Sequence, residues 1–191
     1  MSLKVKEKIF PKQDNLNMEK LQYDSEGLYS ISHPEDAEFI SDEIKKFKGT
    51  NELDIFEGTA GLGGNIISFA NNFKSVTGVE HNDLRFEMLK NNVECYNLQN
   101  IKLINGNCLD NLNLNYDVYF FDPPWGGPDY KNHNNLELYI GNKSIPEIIK
   151  LLPTNRTVVL KVPYNYNINL LKDYDFIIKK LRNILIILIN T

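Results

Sequence analysis

Leu53-Asp54-Ile55-Phe56-Glu57-Gly58-Thr59-Ala60-Gly61-Leu62-Gly63-Gly64-Asn65 decides the fold of this 191-residue chain. Its first four residues read as a strand and Asn65 to Ala70 as the helix that follows. The glycines between them make a sharp strand-to-helix turn whose backbone can come close to a ligand. Further along, strands and helices keep alternating. Val76 to Val79 reads as a second strand and Asp83 to Tyr96 as an amphipathic helix, with Leu84, Met88 and Val93 on its apolar face. Ile101 to Ile104 and Asp117 to Phe121 read as strands three and four, Ile145 to Leu152 as a helix, and Val158 to Val162 as strand five. Tyr174 to Ile178 and Leu185 to Ile189 are the last two strands, with only a short connection between them. A βαβ series that ends on a hairpin-like pair predicts an α/β, doubly wound sheet of about seven strands.

Upstream of that turn, residues as far as about Tyr23 are polar and Lys-rich and read either as mobile or as an arm. Asp24-Ser25-Glu26-Gly27 reads as a turn, and Leu28-Tyr29-Ser30-Ile31 alternates briefly. Ser32-His33-Pro34-Glu35 has the form of a helix start, with proline inside the first turn. Ala37, Ile40, Ile44 and Phe47 keep helical spacing until Gly49 stops the segment. The expected organisation is an arm and helix over residues 1–48 that cover a site, followed by one catalytic domain over 49–191.

Composition narrows the function. Hydrophobic residues make up 42% and charged residues 24%, the balance of a globular protein with a substantial core. A net charge of −4 argues against broad tracking of a phosphate backbone, so any nucleic-acid role has to rest on a compact pocket. Cys95 and Cys108 are too few for a structural zinc site, and His33, His81 and His133 lack metal-ligand spacing, so no metal is expected. The longest apolar run, Ile184 to Ile189, is far too short to span a bilayer, and no leader is expected. An intracellular protein, nuclear or cytoplasmic, follows as the expectation.

Carboxylates sharpen the meaning of the glycine turn. Asp54 and Glu57 would repel a pyrophosphate but suit the cationic amino group of S-adenosylmethionine. About 20 residues on, Glu80 ends strand two, with His81 after it, where an acid can take ribose hydroxyls. Gly106-Asn107-Cys108, after strand three, offers an amide able to read an adenine edge. The expected cofactor set is therefore Asp54, Glu57, Gly58, Thr59, Gly61, Gly63, Asn65, Glu80, His81, Asn107, Cys108 and Asp122.

The second informative stretch is Asp122-Pro123-Pro124-Trp125-Gly126-Gly127-Pro128-Asp129-Tyr130, directly after the apolar run Val118-Tyr119-Phe120-Phe121. It falls at a strand's C-terminal end, the edge where open α/β sheets bind ligands. Two prolines fix the backbone and leave carbonyls free to accept hydrogen bonds. A carboxylate and the chain's only tryptophan stand beside them. An acid, rigid carbonyls and a flat aromatic face suit a planar base that carries an exocyclic amine. Asp122, Pro123 and Trp125 are the expected catalytic residues, with Asp122 and the Pro123 carbonyl accepting the amine's hydrogens.

With those residues in view, the chain resembles a class I S-adenosylmethionine-dependent methyltransferase with a Rossmann-like sheet. More narrowly it resembles the trimethylguanosine synthase family, which methylates the 2-amino group of a 7-methylguanosine RNA cap. The resemblance rests on Pro123 to Tyr130 and on Asp24-Ser25-Glu26-Gly27-Leu28-Tyr29-Ser30-Ile31 with Pro34-Glu35. It implies that Trp125 stacks on the cap base, with Pro124 beside it, that Tyr130 contacts the cap phosphates, and that Asp54, Glu80 and Asn107 bind cofactor. The chain departs from the family in a longer glycine turn and in Asp122, where cap enzymes often carry serine. Gln22 and Tyr164 stand where basic residues are expected near the phosphates, and Lys20 and Lys161 are expected to substitute. The partner implied is 7-methylguanosine-capped RNA. The alternative left open is a guanine-N2 or adenine-N6 methyltransferase acting on internal bases of rRNA, tRNA or DNA.

Overall fold

A computed structural model describes residues 3–191. Its centre is a seven-stranded sheet built from β1 (Asp54–Glu57), β2 (Ser75–Glu80), β3 (Ile101–Asn105), β4 (Val118–Phe121), β7 (Thr157–Pro163), β8 (Asp175–Leu181) and β9 (Ile184–Asn190). Their order across the sheet is β3-β2-β1-β4-β7-β9-β8. The strands β3, β2, β1, β4 and β7 are parallel, and β9 runs antiparallel between β7 and β8. The expected seven strands and closing antiparallel pair are present. A two-stranded ribbon, β5 (Tyr139–Ile140) and β6 (Lys143–Ser144), lies outside the main sheet and was not expected.

Strands buried on both faces read as unbroken apolar runs, and β4 shows why. Val118 and Phe120 pack with Ile55, Ile66, Phe69 and Val159 on one face. Tyr119 and Phe121 pack with Phe56, Ile148, Ile149 and Leu160 on the other. The first face is covered by α3 (Pro34–Lys48), α4 (Gly64–Asn72) and α5 (Asp83–Tyr96), and the second by α6 (Ile145–Leu151). β9 is divided the same way, Ile186 and Leu188 facing one cluster and Leu185, Ile187 and Ile189 the other.

The helix ends follow local chemistry. Pro34 opens α3, and Gly49 closes it in the left-handed conformation at φ 70°. Asn82 caps α5 by accepting from the Arg85 amide at 3.0 Å. The Glu147 carboxylate reaches back to the Ser144 amide at 2.8 Å, fixing the start of α6.

Two expectations at the N-terminus need correction. The segment before Tyr23 forms α1 (Leu3–Ile9) and then packs on the body. Ile9, Phe10 and Leu21 are buried with Tyr96 of α5, whose hydroxyl donates to the Pro11 carbonyl at 2.6 Å. Even Lys6 is buried, its ammonium on the Glu19 carbonyl at 2.6 Å. The apolar residues responsible are sparse and without period, and only the surface of α5 brings them together. Asp24 to Gly27 is no plain turn either. Asp24 accepts from the Gly27 amide at 2.6 Å and starts α2 (Ser25–Ser30).

Candidate active site

The chain reverses direction across the sheet between β1 and β4, which are neighbours, and this is where such sheets bind ligands beyond the strands' carboxyl ends. Glu57 ends β1, Glu80 ends β2, Asp122 follows β4 and Lys161 lies near the end of β7.

On the first side, Glu57 is fully buried and takes one hydrogen bond, from Asn65 at 3.1 Å. Among the described residues its other oxygen has no partner, and neither does the side-chain amide oxygen of Asn65. Burial raises the Glu57 carboxyl well above its ordinary value, and the neighbouring Asp122 and Glu80 charges push the same way against Asn65 and Lys161. Glu80 is held by two backbone amides, Gly61 at 2.9 Å and Asn82 at 2.9 Å, so the acid itself shapes the glycine turn. Gly61 and Gly63 adopt positive φ, 56° and 94°. Gly58 is pressed against Phe121, where a Cβ would lie 2.5 Å from the ring. Cys108 packs on the same spot, its thiol pushed by burial up to about 12 and therefore neutral.

On the second side, the Asp122 amide donates to Thr59 at 2.8 Å, tying the two loops together. Asp122 Oδ2 meets the Lys161 ammonium at 2.6 Å, and both side chains are nearly buried, at 13% and 7% exposure. Burial raises the Asp122 carboxyl, and Lys161 draws it back. Among the described residues, neither Asp122 Oδ1 nor the Pro123 carbonyl accepts a hydrogen bond of good geometry, and the buried indole N–H of Trp125, otherwise unpartnered, lies close enough to Asp122 to help lower its carboxyl. Trp125 is half-buried, meets the Tyr130 ring edge to face at 5.1 Å and 77°, and lies 5.7 Å from the Lys161 ammonium. Pro124 is exposed beside it, and Tyr164, more than half exposed, follows β7 at the same sheet edge.

Several expected site residues stand elsewhere. Asp54 opens β1 at the opposite sheet edge, where its carboxylate is engaged by Ser75 at 2.6 Å and Lys74 at 3.2 Å. A four-residue strand separates it from the ligand edge, and Glu57 is the acid that arrives there. Lys161 is not a free phosphate ligand, because its ammonium is already taken by Asp122 and by Ser32 at 3.0 Å. Lys20 lies against the C-terminal half of α5, its carbonyl accepting from Asn91, rather than beside Trp125. Asn107 is exposed and uses its oxygen to cap the short turn that follows, accepting from Leu109 at 3.1 Å. His81 is 80% exposed, and only its Nδ1, 3.4 Å from Glu80, approaches the cluster.

Sequence reading anticipated an N-terminal cover but missed the contacts that seat it. Arg85 of α5, nearly buried, pairs with Asp24 at 2.9 Å and with Glu26 at 2.8 Å, fastening α2 over the glycine turn. Gly27 lies against Leu62, and Ser32 against Gly64. The residues present fit S-adenosylmethionine. Glu57 presents a buried acceptor that could take an ammonium, Glu80 places a carboxylate at the end of β2, a position suited to ribose hydroxyls, and the glycine turn leaves the backbone open to close approach.

Residues 49–190 match the family model described as RNA cap guanine-N2 methyltransferase. The chain belongs to that family. It is an S-adenosylmethionine-dependent methyltransferase. An uncharacterized protein of Acanthamoeba polyphaga mimivirus is 32% identical over 207 residues, covering 94% of this chain and 78% of the viral protein. Trimethylguanosine synthase of Saccharomyces cerevisiae is 27% identical over 180 residues, covering 87% of this chain, which spans only 55% of the yeast protein. Among solved structures, the 16S rRNA guanine-N2 methyltransferase of Thermus thermophilus, in complex with AdoMet and guanosine, superposes with a TM-score of 0.62 at 13% identity, over 89% of this chain and 44% of that one. The precorrin-6y methyltransferase of Geobacter metallireducens does so with a TM-score of 0.62 at 16% identity, over 90% and 93%. At such identities these two speak for the methyltransferase fold alone.

Proposed function

We propose that this protein methylates the exocyclic 2-amino group of 7-methylguanosine in an RNA cap. The observation that carries the reading is Trp125, held edge-on by Tyr130 beside the unengaged Asp122 Oδ1 and Pro123 carbonyl. S-adenosylmethionine, when bound, supplies an electrophilic methyl on a sulfonium.

A guanine amine is a poor nucleophile because its lone pair is delocalised into the ring. Asp122 Oδ1 and the Pro123 carbonyl accept its two hydrogens and turn the lone pair out of the ring plane. The amine nitrogen would take the methyl group from the sulfonium that the cofactor supplies, the S–C electron pair departing with the thioether product, and the extra proton would pass from nitrogen to Asp122 or water. Positioning supplies much of the acceleration. Glu57 holds the cofactor's amino group and Glu80 its ribose. Trp125 stacks on the base, where the positive charge of a 7-methylated guanine adds about 0.5–2 kcal/mol. Tyr130 and the exposed Tyr164 stand on the side of the cap phosphates. Residues 3–48 serve as a lid over cofactor and acceptor. Among the described residues no helix is long and apolar enough to cross a membrane.

Methyl transfer to 7-methyl-GTP compared with GTP tests the reading. Strong preference for 7-methyl-GTP is expected. Equal transfer to both, or transfer only to an uncapped transcript, would move the substrate to an internal guanine.

A further inference from the structure

Lys161 is a buried cation in a site whose expected substrate carries positive charge, and binding of cap phosphates does not explain it. Its ammonium has three hydrogens and three neighbours: Asp122 Oδ2 at 2.6 Å, Ser32 Oγ at 3.0 Å, and the face of Trp125 at 5.7 Å. These belong to the β4 turn and to the N-terminal segment, while Lys161 itself belongs to β7. Ser32 is in turn fixed against the cofactor side. A Cβ on Gly64 would stand 2.6 Å from its carbonyl oxygen, so the backbone of the N-terminal segment rests directly on the start of α4. One side chain therefore touches the acceptor carboxylate, the stacking ring and the segment over the cofactor turn.

We propose that Lys161 is the positioning residue of the acceptor site, turning the Asp122 carboxylate so that Oδ1 faces the substrate amine and tying that orientation to the seating of Ser32. The assignment rests on the amino-methyltransferase reading of Asp122, though not on the cap as substrate. With Oδ2 engaged, the carboxylate has one oxygen left for the substrate, and rotation about its side chain would break the ion pair. Without Lys161, the buried Asp122 carboxylate would keep only the Trp125 indole N–H to lower it, with the acid Glu57 of the adjoining β1 close by and no cation to hold it ionised. If the N-terminal segment lifts, Ser32 leaves and the ammonium is free to turn away from Asp122. The acceptor site is then assembled only when the lid is down.

Trp125, the only tryptophan, reports the pair without any substrate. Its emission is followed through a pH titration in the wild type and in Lys161→Met, Ser32→Ala, Asp122→Asn and Glu57→Gln. The midpoint assigned to Asp122 should vanish in Asp122→Asn and persist in Glu57→Gln. It should rise by about one pH unit or more in Lys161→Met, since the stabilising cation is gone, and by less in Ser32→Ala. In methyl transfer, Lys161→Met should lose about tenfold or more in kcat with the KM for cofactor unchanged, and its acid limb should move to higher pH. Placed in the Asp122→Asn background, Lys161→Met should cost less than about twofold more, because it acts through Asp122. That double variant buries no unpaired charge, and it remains informative if Lys161→Met alone does not fold. An unmoved midpoint in Lys161→Met, or a full additional loss in the double variant, would overturn the proposal. An unmoved midpoint in Ser32→Ala would overturn the link to the lid. A midpoint shifted in Lys161→Met, together with a wild type that ignores 7-methyl-GTP, would leave Lys161 in its role and remove the cap.

Discussion

Trp125 and Tyr130 meet edge to face, ring centroids 5.1 Å apart at 77°. The contact sets the plane of the indole, because the four residues between them loop back through Gly126 and Gly127, both at positive φ. Tyr130 is anchored in turn, its carbonyl accepting from Asn165 at 2.8 Å. The ring offered to a base is oriented before the base arrives, which lowers the entropic cost of stacking.

The first prediction follows from that orientation. 7-Methyl-GTP should quench Trp125 fluorescence with an affinity about 2- to 30-fold above that of GTP, the ratio that corresponds to a cation–π increment of about 0.5–2 kcal/mol. Trp125→Ala should abolish transfer to cap while sparing cofactor binding. Trp125→Phe should keep part of the activity through a smaller ring face. Equal quenching by both nucleotides would sink cap specificity even with stacking intact.

Glu80 should matter for the cofactor twice over, since it takes ribose hydroxyls and also receives the amides of Gly61 and Asn82. Glu80→Ala should weaken S-adenosylmethionine binding by about 1.5–3 kcal/mol, counting the amides left without an acceptor. Calorimetry on the folded variant measures this, and an unchanged affinity would remove Glu80 from the site.

Glu57 makes a prediction about pH. Its folded carboxyl lies well above the ordinary value of 4.5 because burial disfavours the charge. The folded state therefore keeps a proton that the unfolded chain has already released. Stability from this source is complete below the unfolded value and is lost as pH rises toward the folded one. Glu57→Gln, neutral at every pH, should therefore gain on the wild type as pH rises through that window, in urea unfolding at a series of pH values. Binding of a cofactor with a cationic amino group should release the proton, visible as buffer-dependent enthalpy, and Glu57→Gln should remove that dependence.

Gly64→Ala should unseat the N-terminal segment. The new methyl would stand 2.6 Å from the Ser32 carbonyl oxygen and 2.8 Å from Ile31, and the nearer obstacle is backbone that cannot swing aside. A cost of about 1–3 kcal/mol in thermal or urea unfolding is expected. Methyl transfer should fall further than stability alone accounts for, because Ser32 carries the contact to Lys161. Transfer per folded molecule equal to wild type would separate the segment from catalysis.

Much of this molecule was legible from local pattern. The run Val118 to Phe121 had to be a strand buried on both faces, and the turn from Glu57 to Gly64 had to join a strand to a helix. Their succession along the chain was enough for a doubly wound sheet. Trp125 and Asp122 were legible too, because they follow such a strand directly and residue type alone states their chemistry. Asp54 was misplaced for a reason internal to strands. It lies three residues before Glu57, and a strand running from Asp54 to Glu57 sets the earlier acid at the opposite edge of the sheet. α1 was missed because Ile9, Phe10 and Leu21 have no period of their own and acquire a common face only against Tyr96. Lys161 shows the limit most clearly. In the sequence it is a lysine near a strand's end and free to seek phosphate, but it is separated from Asp122 by 39 positions and from Ser32 by 129. Pairing across that distance depends on β4 and β7 lying side by side and on the N-terminal segment folding back over α4. Local sequence therefore determined the elements and the chemistry of each group. The tertiary structure decided which charges meet, because a charge takes its partner from its surroundings in space.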